Sequence, residues 1–461
     1  MTVNGRVSFW QSSLGDPPRR PALPGSTETD VCIVGAGYTG LWTAWALRRL
    51  RPELRVVIVE AVRAGWGASG RNGGWLSGLL PGDRARLAAG SARGRAGVVA
   101  MQRALHAAVD EVIAVCRDEG IDADITKGGT LSVATNEAQL RRLRAGLVAD
   151  REWGVGPDDA WPLTAAEVRA RVEVAGAVGG RYSPHCARIQ PAKLARGLAD
   201  AVERAGAELY EATPALSLAP HLVVTPAGVV SARWVVRATE GFTARLPGLR
   251  RALLPMNSSI VVTAPLEPAT WAELGWEGQE TLSTAAHAYL YAQRTADGRI
   301  AIGGRGVPYR WGSRPDHDGA TPEATIAQLR RSLARLWPAA AGVPVEHAWR
   351  GVLGVARDWC PSVGADPAQG LAWAGGYVGD GVTTSHLAGR TIAELVAGER
   401  TERTALPWVG HRSPAWEPEP WRWAGVTGVH ALYRAADRAE ARGGRRTSPL
   451  AALAEAVSGR H

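Results

Sequence analysis

The sequence predicts an α/β protein in which a parallel βαβ unit is interrupted by an inserted α+β domain with a mixed or antiparallel sheet. Three observations predict it. Asp30–Val34 is an apolar run ended by Gly35, a helical pattern follows to Leu50, and Arg55–Glu60 is a second apolar strand. Strand, glycine turn, helix and strand within about thirty residues make a βαβ unit. Similar patterns return near 190–238 and 371–396, with stretches of different rhythm between them. The length, 461 residues, also exceeds the size at which one hydrophobic core usually stops growing.

Residues 1–29, rich in Pro, Gly, Ser and Thr, form an extended lead-in. Residues 61–85 are glycine-rich, and the alanine-rich stretch 93–119 is a helix stopped by Gly120 at the C-cap. Thr130–Ala134 is a strand and Glu137–Asp150 a helix. Gln190-Pro191 opens a helix over 192–205, and Ala207–Tyr210, Leu222–Thr225 and Trp234–Ala238 are strands. Short strands alternate with turns from Ser258 to Gly304, and a helix near 321–336 ends before Pro338. Leu371–Gly375 is a strand and Val382–Val396 a helix. From Pro407 a tail carries Trp408, Trp416, Trp421 and Trp423 among prolines. Buried, these tryptophans clamp the tail across the body; exposed, they form a partner surface. The chain thus divides into a discontinuous first domain (1–85, 181–250 and 346–405), an inserted second domain (86–180 and 251–345) and a Trp/Pro-rich extension (406–461).

An apolar share of 46% and a charged share of 21% are those of an ordinary globular protein. The net charge of +9 is almost all arginine, since Lys127 and Lys193 are the lysines among 53 basic residues. The arginines are dispersed among alanines and acids, which argues against a nucleic-acid partner. Cys32, Cys116, Cys186 and Cys360 form no CxxC pair, so no metal site is expected and a reducing compartment fits. No charged start leads into an apolar core, and Val31–Leu47 is broken by three glycines. Neither a signal peptide nor a membrane span is expected, which points to the cytoplasm.

Gly35-Ala36-Gly37-Tyr38-Thr39-Gly40 is a G-x-G-x-x-G turn between strand and helix. Gly35 permits the tight turn, Gly37 lets the backbone approach a pyrophosphate, and Gly40 lets helix and sheet pack closely. The helix N-terminus offers unpaired N–H groups to the phosphates. Glu60, about twenty residues on, is placed to accept hydrogen bonds from a ribose diol and would repel a 2′-phosphate. The motif alone leaves FAD and NAD open.

The run from Ala64 through Gly67, Ala68, Ser69, Gly70, Arg71, Asn72 and Gly73 to Gly74, following Glu60-Ala61, resembles the flavin-contacting loop of D-amino-acid-oxidase-like FAD-dependent oxidoreductases. The nearest branch contains gamma-glutamylputrescine oxidase and glycine- and sarcosine-oxidase-like enzymes. Arg188–Leu198 resembles the helix that returns the chain to the cofactor domain. Ala238, Thr239 and Gly241 resemble the strand-end turn beside the cofactor. Gly376, Tyr377, Gly379, Asp380, Gly381 and Val382 resemble the C-terminal flavin loop, where the family typically has histidine and this chain has Asp380. A carboxylate facing the flavin would disfavour its anionic reduced form unless it points away.

The resemblance implies a Rossmann-type FAD-binding domain of the glutathione-reductase-like kind, with an inserted substrate domain. It implies non-covalent FAD, because no covalent-attachment motif is matched. It also implies oxidation of a C–N bond in an amine or amino-acid-like substrate by hydride transfer to flavin N5, giving an imine that hydrolyses. Oxygen or another acceptor would reoxidise the flavin. N–H groups at the start of helix 382–396 would face the flavin's pyrimidine oxygen, or else form an ordinary capping turn.

Candidates on the substrate side follow from position. Tyr289 and Tyr291 share one face of a predicted strand His287–Gln293. Arg305 follows a strand where its guanidinium would pair with a substrate carboxylate, or with a surface acid. His185 would take or relay a proton, or serve as a structural histidine. Tyr377 and Trp349 would wall the flavin or sit in the core. A non-catalytic flavoprotein and a NAD-dependent dehydrogenase are the rival readings.

Overall fold

The computed structural model describes residues 2–315 and 318–459; the outermost residues of the predicted extension and lead-in, and residues 316 and 317 of the predicted second domain, lie outside them. The βαβ unit forms as Thr27–Val34 (β1), Tyr38–Leu50 (α1) and Val56–Val59 (β2). Glu208–Tyr210 (β3), Gly228–Arg237 (β4) and Leu371–Gly375 (β5) join it, and Gly381–Ala397 (α2) follows. The five strands run parallel in the order β3-β2-β1-β4-β5. Strand order reverses at β1, so a crevice opens at its carboxyl end, where Gly35 stands. Val31, Ile33, Val56 and Ile58 pack on helices that include α1 and α2. Cys32, Val34, Val57 and Val59 on the opposite face are covered by Leu23 and the strand residues Leu218 and Val223, so β2 is buried on both faces. β1 starts at Thr27, before the apolar run, because its polar first residues pair with Val230–Ala232 at the half-exposed end of β4.

The second sheet has nine strands and is mixed, one of the two arrangements (mixed or antiparallel) predicted. Leu254–Thr263 is paired antiparallel on both sides, with Val345–Val355 and Ile300–Gly304, whereas Thr281–Thr284 runs parallel to Thr130–Ala134. Val3–Asn4 and all of Val345–Val355 beyond its first residue belong to this sheet although their numbers fall in segments predicted for the first domain. The helix Gly94–Asp118, predicted in the second domain, buries Met101, Leu105, Val109 and Val112 in one core with Leu387 and Ile392 of α2. Its apolar stripe is visible in the sequence; which core it meets is not.

The extension is only partly a Trp/Pro segment. Trp408 is fully buried, and the Trp416 indole donates to the Val355 carbonyl (2.7 Å). Trp421 and Trp423 remain 71% and 41% exposed, so the clamp rests on the first two tryptophans. Beyond them the chain forms two helices, Trp421–Ala441 (α3) and Pro449–Ser458 (α4), packed on each other. All four cysteines are buried free thiols. No helix among the described residues is long and apolar enough to cross a membrane.

Candidate active site

The glycine turn is held by backbone geometry. Gly35 has φ +105°, and a β-carbon there would lie 2.7 Å from the Ala238 carbonyl oxygen. A β-carbon on Gly40 would run into the Gly35 carbonyl oxygen. Gly37 caps α1 without a side-chain bond, and the Tyr38 N–H donates to Ser69 Oγ (2.8 Å). Glu60 directly follows β2, with its carboxylate accepting from Ala36 N (2.8 Å) and Val62 N (3.0 Å), and burial raises its pKa. The Tyr38 hydroxyl donates to the Pro191 carbonyl, so this ring serves the core.

The loop after Glu60 organises itself. Asn72 donates to the carbonyls of Ala68 (3.2 Å) and Ser69 (2.9 Å) and accepts from Gly74 N (2.8 Å). The Arg71 guanidinium donates to the Trp66 and Arg6 carbonyls, tying the loop to the N-terminal segment. Opposite, the Tyr377 hydroxyl meets Thr39 Oγ1 (3.0 Å), joining the start of α1 to the loop before α2. Gly376 N and Tyr377 N donate to Glu240 Oε1 (3.2 and 3.1 Å). Burial pushes Glu240 up to about 7 despite these bonds. Glu240 was not among the predicted site residues; an acid in the Ala238-Thr239-Glu240-Gly241 turn was the available signal. Asp380 occupies the N-cap position of α2 but makes no side-chain cap bond, so its carboxylate does not satisfy the first-turn N–H groups.

Among the residues predicted for the substrate side, Arg305 donates to the Tyr289 hydroxyl (3.3 Å) and has no carboxylate partner among the described residues. Its Nη2 comes within 3.8 Å of where a β-carbon on Gly379 would stand, beside the turn that opens α2. Tyr289 is not in a strand: the strand begins at Tyr291, and the residues before it form a turn. Tyr291 instead bonds Ser258 (2.8 Å) and packs its ring against Gly73. Trp349 walls nothing, since it is fully buried with its indole donating to the Arg71 carbonyl (2.9 Å). His185 Nε2 lies 2.8 Å from Asp159 Oδ1 and its ring stacks on His106 at 3.7 Å. Burial and then His185 push His106 down to about 4. Burial alone would raise the Asp159 carboxyl, yet the Gly156 N–H and His185 hold it below its ordinary range.

These groups share one cavity of about 1220 Å³, into which Glu60, Gly37, Gly379, Arg305 and His185 all face. Pockets for ordinary small ligands are roughly 300–1,000 Å³, so there is room for a dinucleotide and a substrate. Ala61, Gly67, Ala68, Thr239, Gly381 and Val382 also reach it. Ala36, Gly40, Gly70, Gly74, Gly241 and Gly376 lie behind the lining, where they permit close packing. The turn framed by Gly35, Gly37 and Gly40, whose N-cap Gly37 carries no capping side chain, and the Glu60 carboxylate fit an FAD.

Comparison with known proteins agrees with this geometry. The family described as FAD dependent oxidoreductase (DAO) matches residues 30–395. The probable oxidoreductase OrdL of Rhizobium meliloti is 29% identical over 415 residues, 88% of this chain and 91% of that one. The gamma-glutamylputrescine oxidoreductase of Escherichia coli is 29% identical over 414 residues, 88% of this chain and 92% of that one. A solved glycine oxidase from Geobacillus kaustophilus shares the fold, with a TM-score of 0.66 at 24% identity over 84% of this chain and 100% of that one.

Proposed function

The chain belongs to the DAO family of FAD-dependent oxidoreductases, and from this premise we propose that it oxidises the C–N bond of an amine bearing a carboxylate, anchored by Arg305. FAD is its cofactor, which sets the NAD reading aside, and it is an oxidoreductase acting on amine or amino-acid-like substrates, which sets aside a non-catalytic flavoprotein. The observation that carries the finer reading is the cavity-lining Arg305 guanidinium without a carboxylate partner among the described residues, beside Tyr289 and the turn that opens α2.

When bound, FAD supplies a hydride acceptor for the substrate carbon. The residues do the rest. Arg305 and Tyr289 hold the carboxylate and so fix which C–H faces the cofactor. N–H groups at the start of α2 offer positive potential to an oxygen gathering charge on reduction. Loss of hydride from carbon and of a proton from nitrogen leaves an imine, which water splits into a carbonyl compound and an amine. Bound as the neutral amine, the substrate needs no strong protein base. His185, held by Asp159, is available in the same cavity to take a proton.

An absorbance spectrum followed by anaerobic titration with amino acids and with amines lacking a carboxylate tests the proposal. Bleaching of the flavin bands by a carboxylate-bearing amine is expected. Bleaching only by amines without a carboxylate would overturn the Arg305 anchor.

A further inference from the structure

We propose that the C-terminal helical pair is a wall of the substrate site, selecting amines that carry an apolar side group beside their carboxylate. This rests on the reading of Arg305 as the carboxylate anchor. The pair lies outside the family match, which ends at residue 395.

The face of α3 argues for it first. Val426, Val429 and Tyr433 recur at helical spacing, are at most 9% exposed, and line the same cavity as Arg305. Val426 packs in one apolar cluster with Met256 and Trp416, which line the cavity too. A substrate no larger than an amine and a carboxylate leaves this lining unused.

The next two turns of α3 grip both flanks of the Arg305–Tyr289 pair. Arg434 donates to the carbonyl of Gly306, the residue after Arg305. Asp437 accepts from His287 N (2.8 Å) and Ala288 N (2.9 Å), in the turn that carries Tyr289. Glu440 pairs with His287 Nε2 (2.9 Å) while Arg142 holds it from the other side (3.0 Å). The His287 and Glu440 side chains are 5% and 1% exposed, and the His287 ring lies parallel to Tyr433 at 5.8 Å. The buried Glu440 carboxylate, bonded from both sides, fixes one geometry, because losing a partner strands its charge. The extension therefore sets the position of the anchor as well as supplying apolar surface to the same cavity.

The test uses the full-length FAD holoenzyme and carboxylates that need not react. Acetate, 4-methylpentanoate and phenylacetate are titrated against the flavin absorbance. The two larger acids are expected to bind at least about tenfold tighter than acetate, since even one methylene in an apolar pocket discriminates by roughly 10-fold or more. Val426→Phe fills the lining and should cut that preference to under about 3-fold with acetate unchanged. Val426→Ala, which only removes volume, should weaken phenylacetate several-fold and spare acetate. Trp423→Ser, at an exposed position, should leave all three unchanged. Equal binding of all three acids, or equal weakening of all three by both Val426 variants, overturns the selecting wall and leaves the Arg305 anchor standing. Absence of any carboxylate binding overturns both.

Discussion

The proposed dinucleotide cradle and the proposed substrate face of the cavity are built by opposite means. The cradle is backbone: glycines that exclude β-carbons, helix N–H groups and one carboxylate, with residues 35–74 supplying most of it. The proposed substrate face is side chains, brought together from His106, His185, Tyr289, Arg305 and Tyr433. A backbone site tolerates almost no substitution at its close contacts. A side-chain site can be retuned one residue at a time, which suits cofactor binding to the first and substrate choice to the second.

The largest effect that would break this contrast is at Gly40. Gly40→Val drives a branched β-carbon into the Gly35 carbonyl oxygen, and complete loss of the visible flavin bands from the purified protein is expected. Stoichiometric flavin in that variant would show that the cradle is not set by close backbone approach. Arg305→Met comes next. Removing one partner of a buried charge pair costs at least about 2 kcal/mol, so KM for a carboxylate substrate should rise on the order of 30-fold. Flavin content should be unchanged, and its loss would place Arg305 in the cradle instead. Tyr289→Phe removes one hydrogen bond to the anchor, for which about 1 kcal/mol, or roughly 5-fold in KM, is expected.

The smallest effect is a pH slope. Burial lifts Glu240 from an ordinary 4.5 to about 7, so between those values the folded protein keeps a proton that the unfolded chain has lost. Its contribution to stability is fully present below the lower value and is lost as pH rises through the upper one. Glu240→Gln removes the titration, so the Tm of wild type minus that of the variant should fall from about pH 4.5 to about pH 7. A difference that does not change with pH would place the carboxyl in water.

The contrast also explains what could be read in advance. Gly35, Gly37, Gly40 and Glu60 stand at fixed spacing because one turn of chain makes the whole contact, so local pattern suffices. Tyr289 was misplaced on a strand because alternation looks the same in a short turn packed between tail and sheet. Trp349 was a candidate wall because an indole suits core and cavity equally until its neighbours are known. The stripe Val426, Val429, Tyr433, Ala436 and Glu440 was present in the sequence, but prolines and tryptophans just before it masked a helix that two glycines also weaken.

The sequence by itself determined the βαβ unit, the glycine turn with its acid and, through resemblance, the flavin. All of these depend on residues close in the chain, whose conformations are set by local sterics and apolar periodicity. Only the tertiary structure decided that the helix Gly94–Asp118 packs with α2, that His106 stacks on His185, and that a C-terminal helix grips both flanks of Arg305. Those contacts join segments far apart in the chain. Burial and charge pairing select such partners among many surfaces of similar composition, so no local pattern specifies them.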